Sequence, residues 1–257
     1  MCELFAVSSM NKIKLNTLLK EFFKHSVEHP SGWGMVALDN AIKTIEKEEK
    51  RAIDSKYLEE RLSNDIISSG FFAHIRRATI GEINIKNNHP FVEKDCLNNQ
   101  WFLMHNGTIF DSDELGKYLS KQNGTTDSER ILLHIVDKIN EAIKKHNRPL
   151  LGEEKFEIVE KIVLKLSKGN KLNLIVFDGQ YYYIHKNQEG TLFVKEKEGA
   201  SIFSTTPLDE EQWTEVPLNQ LLVYQKGQLV YQGTVHQNTY IYDEAQYKYL
   251  FMAYANM

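Results

Sequence analysis

The sequence predicts an α+β fold in which helices layer on mainly antiparallel sheets. Strand-like and helix-like stretches come first, then two consecutive helical patterns, then a long series of short strands separated by single glycines. That order, unlike a steady strand–helix alternation, places helices on the faces of antiparallel sheets. The 257 residues are 42% hydrophobic, enough to bury a substantial core. No linker, repeat or low-complexity segment divides them, so one domain over 1–257 is expected.

Residues 2–8 read as a short strand buried on both faces, Leu4, Ala6 and Ser8 opposite Phe5 and Val7. Over 11–26, Ile13, Leu15, Leu18, Leu19, Phe22 and Phe23 fall at helical spacing with lysines between them, predicting an amphipathic helix. The turn cluster His29-Pro30-Ser31-Gly32 leads into a strand over 33–38. Asp39 and Asn40 then turn the chain into a second strand over 41–46, and the charge run from Lys47 to Arg51 is expected to be a solvated edge. A helix is predicted over 54–68, with Asp54 or Ser55 as N-cap, Leu58, Leu62, Ile66 and Ile67 on one face, and Gly70 ending it. Phe71 to Arg76 is an aromatic, β-branched strand, followed by a polar loop to Phe91. Residues 101–104 form a buried strand closed by the Asn106-Gly107 turn.

A short helix near 111–121 precedes Thr126-Asp127-Ser128-Glu129, which has the spacing of a capping box. It opens a helix over 127–146, and a second helix follows over 153–168. Strands over 172–177, 181–185, 191–194 and 201–204 are separated by Gly179, Gly190 and Gly199, and Lys226-Gly227 turns a hairpin between 221–224 and 228–231. The tyrosine-rich tail, 234–257, is read as a packing strap or an interface.

Composition narrows the function. The formal charge of −4 gives no electrostatic reason for a nucleic-acid or anionic-membrane partner. No apolar run reaches membrane-spanning length, and no signal-type segment is seen. Two cysteines, Cys2 and Cys96, make no disulfide framework. A reducing, cytoplasmic setting is therefore expected, in which a Cys2 thiol stays reduced. Cys96 lies in a polar loop and is read as inert.

Cys2 is the first candidate for chemistry. Removal of Met1 would leave a thiol and a free α-amine on one residue, and an α-amine with a pKa of about 7.7–8.0 can accept a thiol proton near neutrality. The bland alternative is a cysteine that simply starts a buried strand. Polar stretches at strand ends and at a helix start join it: Gly32-Trp33-Gly34, His74-Ile75-Arg76-Arg77-Ala78-Thr79, Asn87-Asn88-His89-Pro90-Phe91, His105-Asn106-Gly107 and Thr126-Asp127-Ser128-Glu129.

With Met1-Cys2-Glu3-Leu4, these six motifs in order over residues 1–205 closely resemble the class II glutamine amidotransferase domain, an N-terminal-nucleophile hydrolase, in its stand-alone branch. The resemblance implies an αββα sandwich of two antiparallel sheets between helices. It implies hydrolysis of a γ-glutamyl amide, typically glutamine, to glutamate and ammonia, with Cys2 as nucleophile and its α-amine as base. By the same likeness Arg76 grips the substrate α-carboxylate, Thr79 adds a hydroxyl there, Asp127 binds the α-ammonium, and the Asn106 side chain and Gly107 N–H form the oxyanion hole.

These residue types suit those tasks. A guanidinium makes two parallel bonds to a carboxylate, and an arginine–carboxylate pair defines the free amino-acid end of a substrate. Each also has a bland reading: a surface arginine after a strand, which fits Arg77 better; an Asn-Gly turn; an acid favoured by the helix dipole. Ser31 stands where the closest relatives often carry aspartate, and Ile80 where fused glucosamine-type synthases place histidine.

His74, His89 and His105 lack metal-ligand spacing and are read as structural, with no metal and no cofactor expected. Gly32 and Gly34 are expected to let backbone approach the Cys2 strand. The expected partners are a small γ-glutamyl substrate and a synthase partner or a second copy. Two alternatives to the enzyme are a non-catalytic subunit that senses glutamine or glutamate, and a structural partner that uses the tyrosine tail.

Overall fold

A computed structural model describes residues 2–78 and 82–255, and its two sheets are built outward from the N-terminal strand. β1 (Glu3–Lys14) sends Leu4 and Ala6 toward the second sheet and Phe5 and Val7 toward helices, so it is buried on both faces as its sequence predicts. Its sheet also contains β2 (Trp33–Ala37), β3 (Glu46–Glu48), β4 (Ile67–Ile75), β9 (Phe193–Lys197), β10 (Ala200–Ser204) and β11 (Thr214–Glu215), in the order β11-β9-β10-β1-β4-β2-β3. The second sheet, β13-β12-β8-β7-β6-β5, contains β5 (Phe91–Lys94), β6 (Gln100–Thr108), β7 (Lys171–Phe177), β8 (Tyr182–His185), β12 (Leu222–Gln225) and β13 (Gln228–Gln232). Each strand pairing within the two sheets is antiparallel.

Three apolar clusters define four layers. α1 (Asn16–Lys24) and α2 (Lys56–Ser63) cover the outer face of the first sheet. A second cluster, including Phe72, Phe102, Ile175 and Phe203, fills the space between the sheets. α3 (Asp127–His146) and α4 (Gly152–Leu166) cover the outer face of the second sheet. This is the αββα arrangement, within the α+β class the chain order predicts.

Several elements differ from their sequence expectations, for identifiable reasons. The helix expected over 11–26 is only α1, and the one expected over 54–68 is only α2. Both lose residues to the same pairing: beyond a bulge, Ile13 and Lys14 of β1 align with Ser68 and Ile67 of β4. Local helical spacing yields there to a ladder between residues far apart in sequence. Gly70 does not end a helix but lies inside β4, where a side chain would strike the Tyr182 hydroxyl from the opposite sheet.

The strand expected over 41–46 is displaced into the charge run as β3. That run is not merely solvated, because Trp33 Nε1 donates to Glu48 Oε2 at 3.2 Å and Lys47 Nζ donates to the Asn88 carbonyl at 2.6 Å. The helix near 111–121 shrinks to a 3-10 turn at Gly116–Tyr118. β5 and α5 (Glu244–Ala255) form where a polar loop and a tail are expected. Thr126 Oγ1 accepts from Glu129 N at 3.3 Å, but Glu129 bonds the Asn123 and Gly124 amides rather than reaching back to Thr126, so the capping box is half formed.

Gly32 and Gly34 face a different neighbour from the Cys2 strand. β2 pairs with β3 and β4, and a Cβ at Gly34 would overlap the His89 carbonyl oxygen. The glycine thus lets the 88–90 loop close over β2. Gly34→Ala is expected to cost about 1–3 kcal/mol of stability through overpacking against a backbone atom, read as a lower urea midpoint at unchanged slope.

Beyond β13 the chain runs across the second sheet. His236 N donates to the Asn219 carbonyl at 2.9 Å and Tyr240 N to the Asn187 carbonyl at 2.6 Å. Tyr240 stacks on Phe110, and Tyr247 of α5 meets the same ring edge-on, with centroids 6.0 and 5.2 Å away. Among the described residues no helix is long and apolar enough to cross a membrane.

Candidate active site

Four chain segments end at one cavity: the start of β1, the end of β4, the end of β6 and the first turn of α3. Cys2, Arg76, Gly107 and Asp127 all line it. They span 125 positions from Cys2 to Asp127, and the antiparallel registers around β1 and β6 bring them together.

The Cys2 thiol donates to the Arg77 carbonyl at 3.7 Å. Burial pushes the thiol up from its ordinary range, while the Arg76 and Lys171 cations work against that shift. Arg76 is 3% exposed, whereas Arg77 is exposed, which separates the buried arginine from the surface one. The 29–32 turn fixes this segment. Arg76 N donates to the Gly32 carbonyl at 2.8 Å, Ser31 N donates to the Arg76 carbonyl at 3.0 Å, and Ala78 N donates to Ser31 Oγ at 3.1 Å. Ser31 therefore works as a backbone anchor. The Arg76 Nη1 donates to the Glu82 carbonyl at 2.8 Å. Thr79 and Ile80 lie outside the described residues.

Asp127 is the first residue of α3, where the helix dipole favours a carboxylate. Its Oδ2 accepts from Ile109 N at 2.7 Å and its Oδ1 from Ser128 N at 2.8 Å. Those two amides hold the carboxylate at the cavity wall and leave it lone pairs for a ligand.

Gly107 must be glycine, since a Cβ there would overlap the Lys171 carbonyl oxygen and His105 Nε2. Among the described residues, Asn106 is the expected site residue that does not line the cavity. It is 4% exposed, and its Oδ1 is buried without a hydrogen-bond partner.

His105 ties the wall together, Nδ1 to Ser128 Oγ at 3.0 Å and Nε2 to the Lys171 carbonyl at 3.3 Å. His74 and His89 pack edge to face with centroids 4.1 Å apart, and their ring nitrogens are buried without partners. Burial holds both imidazoles neutral, well below their usual range. No group of three or more His, Cys, Asp or Glu suited to a metal is found among the described residues. On the other face of β1, Glu3 Oε2 meets His25 Nδ1 at 2.8 Å.

Two residues were not anticipated from sequence. Arg130 lines the cavity with its Nε buried and unpartnered; its one signal is a cation in the first turn of a helix, where the dipole disfavours it. Lys171 is fully buried, and its signal is a single lysine opening a strand, Leu172 to Phe177, that is apolar but for Asn173.

The family model for class-II glutamine amidotransferases matches residues 1–197. An uncharacterized protein of Methanocaldococcus jannaschii is 26% identical over 258 residues, spanning 90% of this chain and 71% of its own. The glutamine phosphoribosylpyrophosphate amidotransferase of B. subtilis superposes with a TM-score of 0.66 at 17% identity, over 93% of this chain and 50% of its own length. A predicted glutamine amidotransferase from Pseudomonas aeruginosa superposes with a TM-score of 0.61 at 16% identity, over 90% of this chain and 100% of its own. At these identities the structural likeness concerns the fold.

Proposed function

Since the chain belongs to the class-II glutamine amidotransferases, by a family match over residues 1–197, we propose that it hydrolyses a γ-glutamyl amide through a Cys2 thioester. The observation that carries this reading is one cavity lined by the Cys2 thiol, the Arg76 guanidinium and the Asp127 carboxylate. A glutamyl group presents the complementary set: an α-carboxylate for Arg76, with Thr79 as an added donor, and an α-ammonium for Asp127.

The chemistry follows from the nucleophile. After Met1 is removed, the Cys2 α-amine takes the thiol proton and the thiolate attacks the amide carbonyl. Asn106 and the Gly107 N–H stabilise the oxyanion. The C–N bond breaks as the amine returns its proton to the leaving nitrogen, which gives a thioester and ammonia or an amine. Water, deprotonated by the same amine, cleaves the thioester and releases glutamate. Cys2, Asn106 and Gly107 are thus the catalytic residues and Arg76, Thr79 and Asp127 the substrate-binding ones, and the reaction calls for no cofactor. We place it in the cytoplasm, with a synthase acceptor or a second copy as candidate partner.

Arg130 stands one helical turn from Asp127 on the same cavity wall. Met1-processed protein is expected to turn over at least one of glutamine, γ-glutamylmethylamide and γ-glutamylglycine, read as glutamate released. Turnover of none of glutamine, γ-glutamylmethylamide and γ-glutamylglycine removes the hydrolase reading. A glutamine- or glutamate-sensing subunit would instead show ligand-induced thermal stabilisation without turnover. Retention of a cysteine at position 2 speaks against it, because a sensor needs no nucleophile.

A further inference from the structure

We propose that Lys171 is a positioning residue for the reaction, an internal cation held between the sheets that favours the thiolate form of Cys2. The proposal rests on Cys2 being the nucleophile, and its geometry comes from sheet alternation. On β7, Leu172, Leu174 and Val176 point into the helix-covered layer, and Ile175 and Phe177 point into the layer between the sheets. Residue 171 falls on the inter-sheet side. On β1, Leu4 and Ala6 point into that same layer, and Cys2 shares their side. In the β6–β7 ladder Lys171 stands opposite Thr108, next to Gly107, and both of these line the cavity with Cys2.

Burial of a lysine demands a compensating charge. Lys186 and Lys195 are also buried, and each is paired with an acid, Glu215 and Asp209 respectively. The Cys2 thiol is an acid that acts on Lys171. Burial brings its ammonium down to about 7, and Cys2 works against that shift, just as Lys171 draws the thiol down. An ammonium that survives at this depth is stabilised by a thiolate and stabilises it in return. It also disfavours protonation of the neighbouring α-amine, which keeps the base available. No bond forms or breaks at Lys171: the thiol proton goes to the Cys2 α-amine, and Lys171 keeps its own.

Other charges around the thiol are fixed by the rest of the wall. Arg76 comes from the end of β4, Arg77 and Asp127 line the cavity, Arg130 comes from α3, and His74, His89 and His105 are all lowered by burial. They are common to every variant below, so differences report on Lys171.

The test is the rate of Cys2 alkylation by iodoacetamide against pH, on the Met1-processed full chain, with peptide mapping to separate exposed Cys96. Lys171→Met is expected to move the Cys2 midpoint up by about one to three pH units, as loss of an adjacent opposite charge does. Reciprocally, Cys2→Ala is expected to lower the midpoint of the Lys171 side-chain titration followed by ¹³C NMR. An unchanged Cys2 midpoint in folded Lys171→Met overturns the proposal. Should that variant fail to fold, an unchanged Lys171 titration in Cys2→Ala overturns it. Alkylation is readable without turnover. A shifted midpoint in a protein that hydrolyses nothing leaves Lys171 in its role and removes the proposed function; turnover with no shift does the reverse.

Discussion

Cys2→Ala is expected to abolish turnover of every γ-glutamyl compound while leaving the fold and ligand binding in place. Loss of a covalent nucleophile typically lowers kcat by about 10⁴-fold to 10⁶-fold, because the remaining groups cannot form the acyl intermediate. Nothing comparable is lost from the folded state. Cys2 is partly exposed, and its thiol makes a long contact to the Arg77 carbonyl. Arg76 and Asp127 keep their own anchors, at Glu82 and at the Ile109 and Ser128 amides, none of which involves Cys2. Glutamate should therefore still raise the melting temperature of the variant. A second arm isolates the amine. A chain whose Met1 is retained keeps the thiol and loses the adjacent α-amine, so its turnover should fall nearly as far as in Cys2→Ala. Full activity in that chain, confirmed by intact mass, would sink the α-amine as base.

These effects depend on residues that the sequence exposes unevenly. Cys2, Arg76, Gly107 and Asp127 are legible because each sits in a short polar stretch at the end of an apolar element, and strand ends are where the fold has room for polar chemistry. Ser55 as the α2 cap and the Lys226-Gly227 hairpin are legible for a similar reason: local backbone demands select local residue types.

Lys171 and Arg130 are not legible, because their meaning depends on what lies across a layer. A lysine at a strand start looks solvated until the first sheet closes over it. The same limit explains β1. Its last residues carry a helical spacing, and only their partners at Ser68 and Ile67 make them a strand. Gly34 has the same character: the need for glycine is set by the His89 carbonyl, from a loop more than fifty residues on.

The second large effect is expected at Asn106, and it should separate catalysis from stability. Asn106→Ala is expected to lower kcat by about 10²-fold to 10³-fold, the loss that follows removal of one oxyanion donor, roughly 2.7–4 kcal/mol. KM should change little, since Arg76 and Asp127 engage the other end of the substrate. Along β6, Phe102 and Met104 point into the inter-sheet layer, and Asn106 takes the next position on that side. An asparagine there is costly. Its Oδ1 is buried without a partner, and such an orphaned acceptor typically costs about 1–3 kcal/mol.

Truncation removes that cost together with a small side chain, so the urea midpoint of Asn106→Ala should be no lower than that of the wild type. Activity lost without stability lost is what a polar side chain kept in an apolar layer for a transition-state charge produces. A variant that loses both in proportion would instead make Asn106 a structural residue, and the Gly107 N–H would be left as the oxyanion donor at this strand end.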